Sequence, residues 1–112
     1  MALLKPRRGE VWWVRFDPSV GSEIQKTRPA VIVSNNISNR HLNRLQVVPV
    51  TSQIKVVHPG ECLIHINNQV AKALIDQIRT VSVNRLGKKI CNLSDADHRL
   101  VDEVILIQLG LV

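Results

Sequence analysis

The 112-residue chain has little of what usually announces a function. It contains two cysteines, Cys62 and Cys91, too few for a disulfide framework. No apolar run approaches the roughly 20 residues that cross a bilayer, and the start, Met1 to Arg8, places its charges after its apolar residues, unlike a signal peptide. There is no G-x-x-x-x-G-K-[ST] phosphate loop, no G-x-G-x-x-G and no G-x-S-x-G elbow. The four histidines, His41, His58, His65 and His98, form no i, i+4 pair. Cys62 and His65 make a C-x-x-H spacing, but no second pair with ligand spacing follows it, and Cys91 and His98 stand alone. No metal or other cofactor is expected. Both thiols read as small, inert hydrophobes and His65 as a satisfied core histidine. Collagen, coiled coil, membrane protein and secreted knottin are excluded, which leaves a domain of the reducing cytoplasm.

What is present suits one domain over residues 1–112. Hydrophobic residues make up 45% and mean hydropathy is +0.04, enough for a core of its own. The formal charge is +6, unevenly spread: residues 1–90 carry +9 and residues 91–112 carry −3. A basic body favours a polyanionic partner, usually nucleic acid, because phosphate contacts release counterions.

The β-branched and aromatic run Glu10 to Phe16 reads as a strand, and residues 17–28, with Pro, Gly, Ser and charge, as a long exposed loop. Pro29 to Ser34 reads as a buried strand, residues 35–43 as a connecting turn or a single helical turn, and Leu45 to Thr51 as a strand that Pro49 places at an edge or bulge. Glu61 to Ile66 supplies another strand, Lys72 to Val83 two short strands or one bent one, and Leu86 to Leu93 a last. The period then changes. Ser94 followed by Asp97 fits a capping box, Leu93, Ala96, Leu100, Val104, Ile107 and Leu111 recur at helical spacing, and Gly110 fits the position just past the end. Short strands followed by one helix predict a mainly β (α+β) fold, a small curved antiparallel sheet or barrel with a C-terminal α-helix over one opening. Val101, Ile105, Leu106 and Leu109 lie off the stripe. Either the helix is deeply buried or it meets a second subunit, and a homodimer is the preferred reading.

Two polar clusters remain. Lys26-Thr27-Arg28-Pro29 feeds the second strand and Thr51-Ser52-Gln53 ends the third. If these strands are neighbours, Arg28 and Thr51 meet at one rim, where a guanidinium fork and a hydroxyl can hold a phosphate. The alternative is an ordinary solvated loop charge.

The blocks RGEVWWVRFDPSVGSEIQKTRPAVIVSNN (Arg8 to Asn36), VVPVTS (Val47 to Ser52) and DQIRTVSVNRLGKKI (Asp76 to Ile90) resemble, in order, the MazF/PemK family of toxin endoribonucleases. The resemblance implies a compact SH3-like, CcdB-like barrel that dimerises, cleaves single-stranded RNA at short sequences without metal, and is neutralised by a cognate antitoxin. Carried over by position, it implies that Arg28 and Thr51 are catalytic, and that Ser22, Glu23, Lys26, Thr27, Ser52, Gln53 and Gln77 line the RNA groove. The antitoxin would occupy the basic groove with an acidic segment, disordered when free. This chain departs from the family where Gly21-Ser22-Glu23 is followed by Ile24-Gln25-Lys26, since many relatives have two glycines there; the loop should be stiffer and more attractive to phosphate. One of Trp12 and Trp13 must face outward from an alternating strand, either as core and dimer contact or to stack a base. The rivals are a CcdB-like poison that traps a protein such as gyrase without catalysis, and a family member that binds RNA without cutting it.

Overall fold

The computed structural model describes residues 5–18, 20–24 and 26–112. Strands β1 (Glu10–Arg15), β2 (Thr27–Ile32), β3 (Arg44–Thr51), β4 (Glu61–Ile66), β5 (Gln69–Leu74), β6 (Arg79–Ser82) and β7 (Leu86–Asn92) form one curled antiparallel sheet. Its order is β4-β5-β3-β2-β1-β7, with β6 also on β3. Helix α1 (Asn36–His41) links β2 to β3, and α2 (Asp95–Gln108) ends the fold.

The unbroken apolar runs have a two-sided explanation. Along β2, Ala30 and Ile32 enter one core with Trp12, Val14, Phe16, Leu45, Val47 and Val81. Val31, between them, enters a second core with Val11, Val48, Val50, Ile64, Ile75 and Val101. Alternate residues of a strand face opposite sides, so a strand buried on both sides has no polar positions to alternate with.

β3 is an interior strand, not the edge or bulge that Pro49 suggested. One side of it pairs with β2 (Ala30↔Pro49 to Ile32↔Val47), while the other pairs first with β6 (Arg44↔Ser82 to Val47↔Arg79) and then with β5 (Val50↔Ala73, Thr51↔Lys72). Pro49, which cannot donate, falls at the hand-over between those two partners. β2 also starts two residues earlier than expected, because β1 offers partners to both residues: Val14↔Arg28 and Arg15↔Thr27. A residue before proline is pushed toward extended backbone in any case. Residues 72–83 divide into β5 and β6 around a 3-10 turn, Ile75–Gln77. β5 begins three residues before the expected start, after a tight hairpin in which Asn67 and Asn68 take φ +49° and +68°.

Helix α2 keeps its sequence-coded ends. Ser94 Oγ accepts the Asp97 N–H at 3.1 Å. Gly110 takes φ +72°, and its N–H and that of Leu111 donate to the carbonyls of Ile107 and Leu106, closing a Schellman end. The buried face keeps Leu93, Leu100 and Val104 of the expected stripe but centres on Val101. Val101 is fully buried and Leu100, Val104 and Ile105 pack on the same core, whereas Ala96, Ile107 and Leu111 are exposed. Beyond Leu100 the helix is apolar on most sides, so its period could not choose a face. Two of the four acids of the tail are consumed internally: Asp102 pairs with Arg8, and Asp97 accepts the backbone N–H of His65 at 2.8 Å and lies 3.1 Å from its ring nitrogen. His65 is accordingly an exposed residue satisfied by Asp97, not the core histidine expected from its apolar neighbours.

Gly9 joins the N-terminal arm to this clamp. It has φ +89°, and a Cβ there would stand 2.9 Å from the His98 ring, which Arg8 holds in place. Gly9→Ala therefore meets both backbone strain and a steric clash. It should cost about 2–3 kcal/mol, a fall of about 10 °C or more in the melting temperature.

Candidate active site

β2 begins and β3 ends at the same edge of the sheet. The β2–β3 ladder runs from Ile32↔Val47 to Ala30↔Pro49, so Arg28 and Thr51 each lie two residues beyond it on the same side. Both side chains are half-buried and line one open cleft of about 520 Å³ with Thr27, Pro29 and Ser52. The β4–β5 hairpin, through Asn67 and Gln69, and Trp13 of β1 complete its walls. Trp12 is buried and Trp13 is 43% exposed, so the outward member of the pair is the one that faces this cleft. Sequence reasoning left Trp13 undecided and missed Asn67 and Gln69, whose place in the cleft depends on a hairpin that no Asn-Gly or Asp-Gly pair announces.

The Thr51 hydroxyl accepts the Gln53 N–H at 3.2 Å. This turns the chain sharply after β3 and leaves the hydroxyl hydrogen to donate into the cleft. Behind it lies a charge with no sequence signal. Lys72, opposite Thr51 on β5, is buried, and its ammonium sits 3.1 Å from Glu61 and donates to the Val56 carbonyl at 2.8 Å. That contact ties down the segment carrying Ser52 and Gln53. Burial alone would push the Glu61 carboxyl up, but the His58 N–H and the Lys72 ammonium outweigh it and hold the carboxyl below its ordinary 4.5. Glu10 shows the same balance, burial being overcome by the Arg7 N–H, the Trp12 indole and Lys89.

Both carboxyls thus have lowered folded-state values. Their contribution to stability is complete above about pH 4.5 and is lost as pH falls through the folded-state values. Thermal stability should hold from neutrality to about pH 5 and decline below it. Lys72→Met should remove about 2–3 kcal/mol by leaving the partly buried Glu61 carboxylate without its cation and with the His58 N–H as its remaining partner, and adding Glu61→Gln should recover part of that loss.

The other expected groove residues divide. Ser22, Glu23 and Gln77 line a second cleft of about 290 Å³ with Arg79. There Gln77 Oε1 accepts the Ile24 N–H at 2.8 Å, so this side chain anchors the loop between β1 and β2. Lys26 and Gln53 are exposed and line neither cleft. Lys26 takes φ +67° with its N–H on Asp17, the turn that feeds β2. The thiols play no part in the cleft. Cys62 is buried, and burial, then the charge of Asp97, pushes it up to about 11, so it stays protonated at neutral pH. Among the described residues no three His, Cys, Asp or Glu side chains gather closely enough to hold a metal ion.

Residues 7–109 match the family model described as PemK-like, MazF-like toxin of type II toxin-antitoxin system. The chain belongs to that family. Among curated proteins, endoribonuclease MazF9 of Mycobacterium tuberculosis is 41% identical, the match covering 94% of this chain and 97% of the relative. Endoribonuclease EndoA of Bacillus subtilis is 34% identical over 95% and 96%. The fold recurs in MazF from Deinococcus radiodurans (TM-score 0.83, 24% identity, 96% and 98% covered) and in a mycobacterial endoribonuclease in complex with its cognate antitoxin (TM-score 0.80, 23% identity, 96% and 97% covered). In this MazF/PemK chain the resemblance read from the R-G-E-V-W, T-R-P and Q-I-R-T blocks and the matched family coincide.

Proposed function

We propose that this MazF/PemK toxin is an endoribonuclease that cuts single-stranded RNA in the cleft shared by Arg28 and Thr51. The observation that supports this reading is that a guanidinium and a hydroxyl, from the start of β2 and the end of β3, line the same open cleft. The ribose 2′-oxygen attacks the adjacent phosphorus while the bond to the 5′-oxygen breaks. The 2′-hydroxyl loses its proton, the leaving 5′-oxygen gains one, and the products are a 2′,3′-cyclic phosphate and a 5′-hydroxyl. Negative charge accumulates on the non-bridging oxygens, where a positioned fork of N–H donors stabilises it. Arg28 supplies that fork and Thr51 a further donor. A guanidinium, protonated at neutral pH, is a poor base, so its contribution is electrostatic. Ser52 and Thr27 flank the phosphate, and Trp13 offers a face for an unpaired base.

The reaction needs no metal in this scheme. The protein is a homodimer, which would cover the exposed Leu106, Ile107, Leu109 and Leu111 of α2. A cognate antitoxin, with an acidic segment over the basic cleft, neutralises it. No helix among the described residues is long and apolar enough to cross a membrane, and the site of action is the cytoplasm, where its RNA is. A gyrase-trapping poison is not favoured, because the two curated relatives named above are endoribonucleases.

The test is incubation of the pure protein with single-stranded RNA in EDTA, with the ends of the products analysed. Fragments with 5′-hydroxyl and cyclic phosphate ends are expected. Intact RNA, or cutting that depends on added metal, overturns the reading.

A further inference from the structure

The end of the molecule opposite the cleft is also prepared for a polyanion. Arg28 and Thr51 stand at the start of β2 and the end of β3, whereas α1 joins the other ends of these strands, about 20 Å away for a six-residue strand. There Lys5, Arg7 and Arg40 surround an open cleft of about 280 Å³ whose remaining lining is Pro6 and Asn36. All three cations are exposed, and none pairs with a carboxylate among the described residues. The neighbouring Arg8 contrasts with them, being committed to Asp102 and His98.

This rim is held in place. Pro6 is buried, the Arg7 N–H donates to Glu10 at 2.8 Å, and the Arg8 N–H donates to Asn36 Oδ1 at 2.8 Å. The arm that carries Lys5 and Arg7 is thereby tied to the helix that carries Arg40. Asn36 Oδ1 is engaged by the Arg8 N–H, while its NH2 group offers a ligand donors. The chain from Ile24 to Gly60, which carries both Arg28 and Arg40, has no acid and five Lys or Arg in 37 residues.

We propose that Lys5, Arg7 and Arg40 form a second RNA site, which grips backbone phosphates of the strand flanking the linkage being cut. The inference rests on the endoribonuclease reading for its substrate. Exposed cations on long stems around a shallow cleft suit a chain of phosphates. An acidic peptide is the rival occupant, because Pro6 and the aliphatic stems of the cations give the cleft a mostly apolar lining; the endoribonuclease reading favours RNA. The contacts carry no sequence information; they add affinity for long RNA and hold its register.

The experiment compares wild type with the Lys5→Ala/Arg7→Ala/Arg40→Ala variant on two RNAs centred on one mapped cut site, one of roughly six nucleotides and one of roughly 30. The variant should raise KM for the long RNA about tenfold with kcat unchanged, and lower the slope of log affinity against log salt by about 2. KM and kcat for the short RNA should stay as in wild type. Equal losses on both RNAs, or no change on the long one, overturn the second site. So does a variant that keeps its RNA affinity but loses affinity for a synthetic polyglutamate peptide. All three positions are exposed, so an unchanged melting temperature is expected, and the single Arg40→Glu variant, with a larger loss on long RNA, provides a second reading. Binding of the long RNA is measured separately by filter retention. A wild type that cuts neither RNA but binds the long one more tightly than the variant does would defeat the cleavage reading and leave the second site standing.

Discussion

Arg28→Ala is expected to lower single-turnover cleavage at least about 10²-fold, the scale of losing one donor to a developing oxyanion. The position makes the result informative. Arg28 is held in β2 by its pairing with Val14 of β1, two residues before the ladder with β3 begins at Ala30. Its backbone is therefore fixed by pairing with β1, and truncating the side chain is expected to change the cleft without rebuilding the strand. Arg28→Lys separates charge from geometry, because an ammonium keeps the positive charge and lacks the paired N–H fork. Its turnover should fall between those of wild type and Arg28→Ala. Melting curves for both variants, run beside the kinetics, distinguish a chemical loss from an unfolded protein. Full activity in a folded Arg28→Ala variant would move the reaction to another part of the molecule.

The second large effect lies in the substrate. Replacing the 2′-hydroxyl at the cut position by hydrogen removes the nucleophile, so cleavage there should stop altogether. Binding should remain within about threefold, because phosphates, bases and the cations that meet them are unchanged. The measurement pairs a cleavage assay with a binding titration on the same modified strand. Cutting of that strand would mean that water, not ribose, attacks phosphorus, and the cyclic phosphate would disappear from the scheme. A strand neither bound nor cut would instead show that the 2′-hydroxyl is a recognition element.

These expectations join residues that the linear order keeps apart. Where a signal is local, the sequence reading and the structure agree. Ser94 caps α2 and Gly110 closes it, since a cap needs only its own first or last turn. The β-branched runs became strands close to their expected limits. The discrepancies are of another kind. Pro49 reads as an edge signal until β3 is seen to change partners there, from β6 to β5. Thr27 and Arg28 read as loop until β1 is set beside them. Half of the stripe expected on α2, Leu93, Leu100 and Val104, packs on the core, but the buried face centres on Val101, because Leu100 to Leu109 offers apolar residues in almost every direction and the sheet selects among them.

The candidate site divides along the same line. That Arg28 and Thr51 belong together came from strand ends with phosphate-binding side chains and from the family blocks around them. That Trp13, Asn67 and Gln69 share their cleft while Gln77 anchors a loop beside another one follows from how the sheet curls. Lys72 is the plainest example: on paper one lysine among six, in the fold a buried ammonium that ties down the segment after Thr51. Caps, turns and strand propensity arise from neighbours a few residues away, so they are written into the chain directly. Partners, faces and burial arise from contacts between distant segments, and those exist only once the sheet has closed around its two cores.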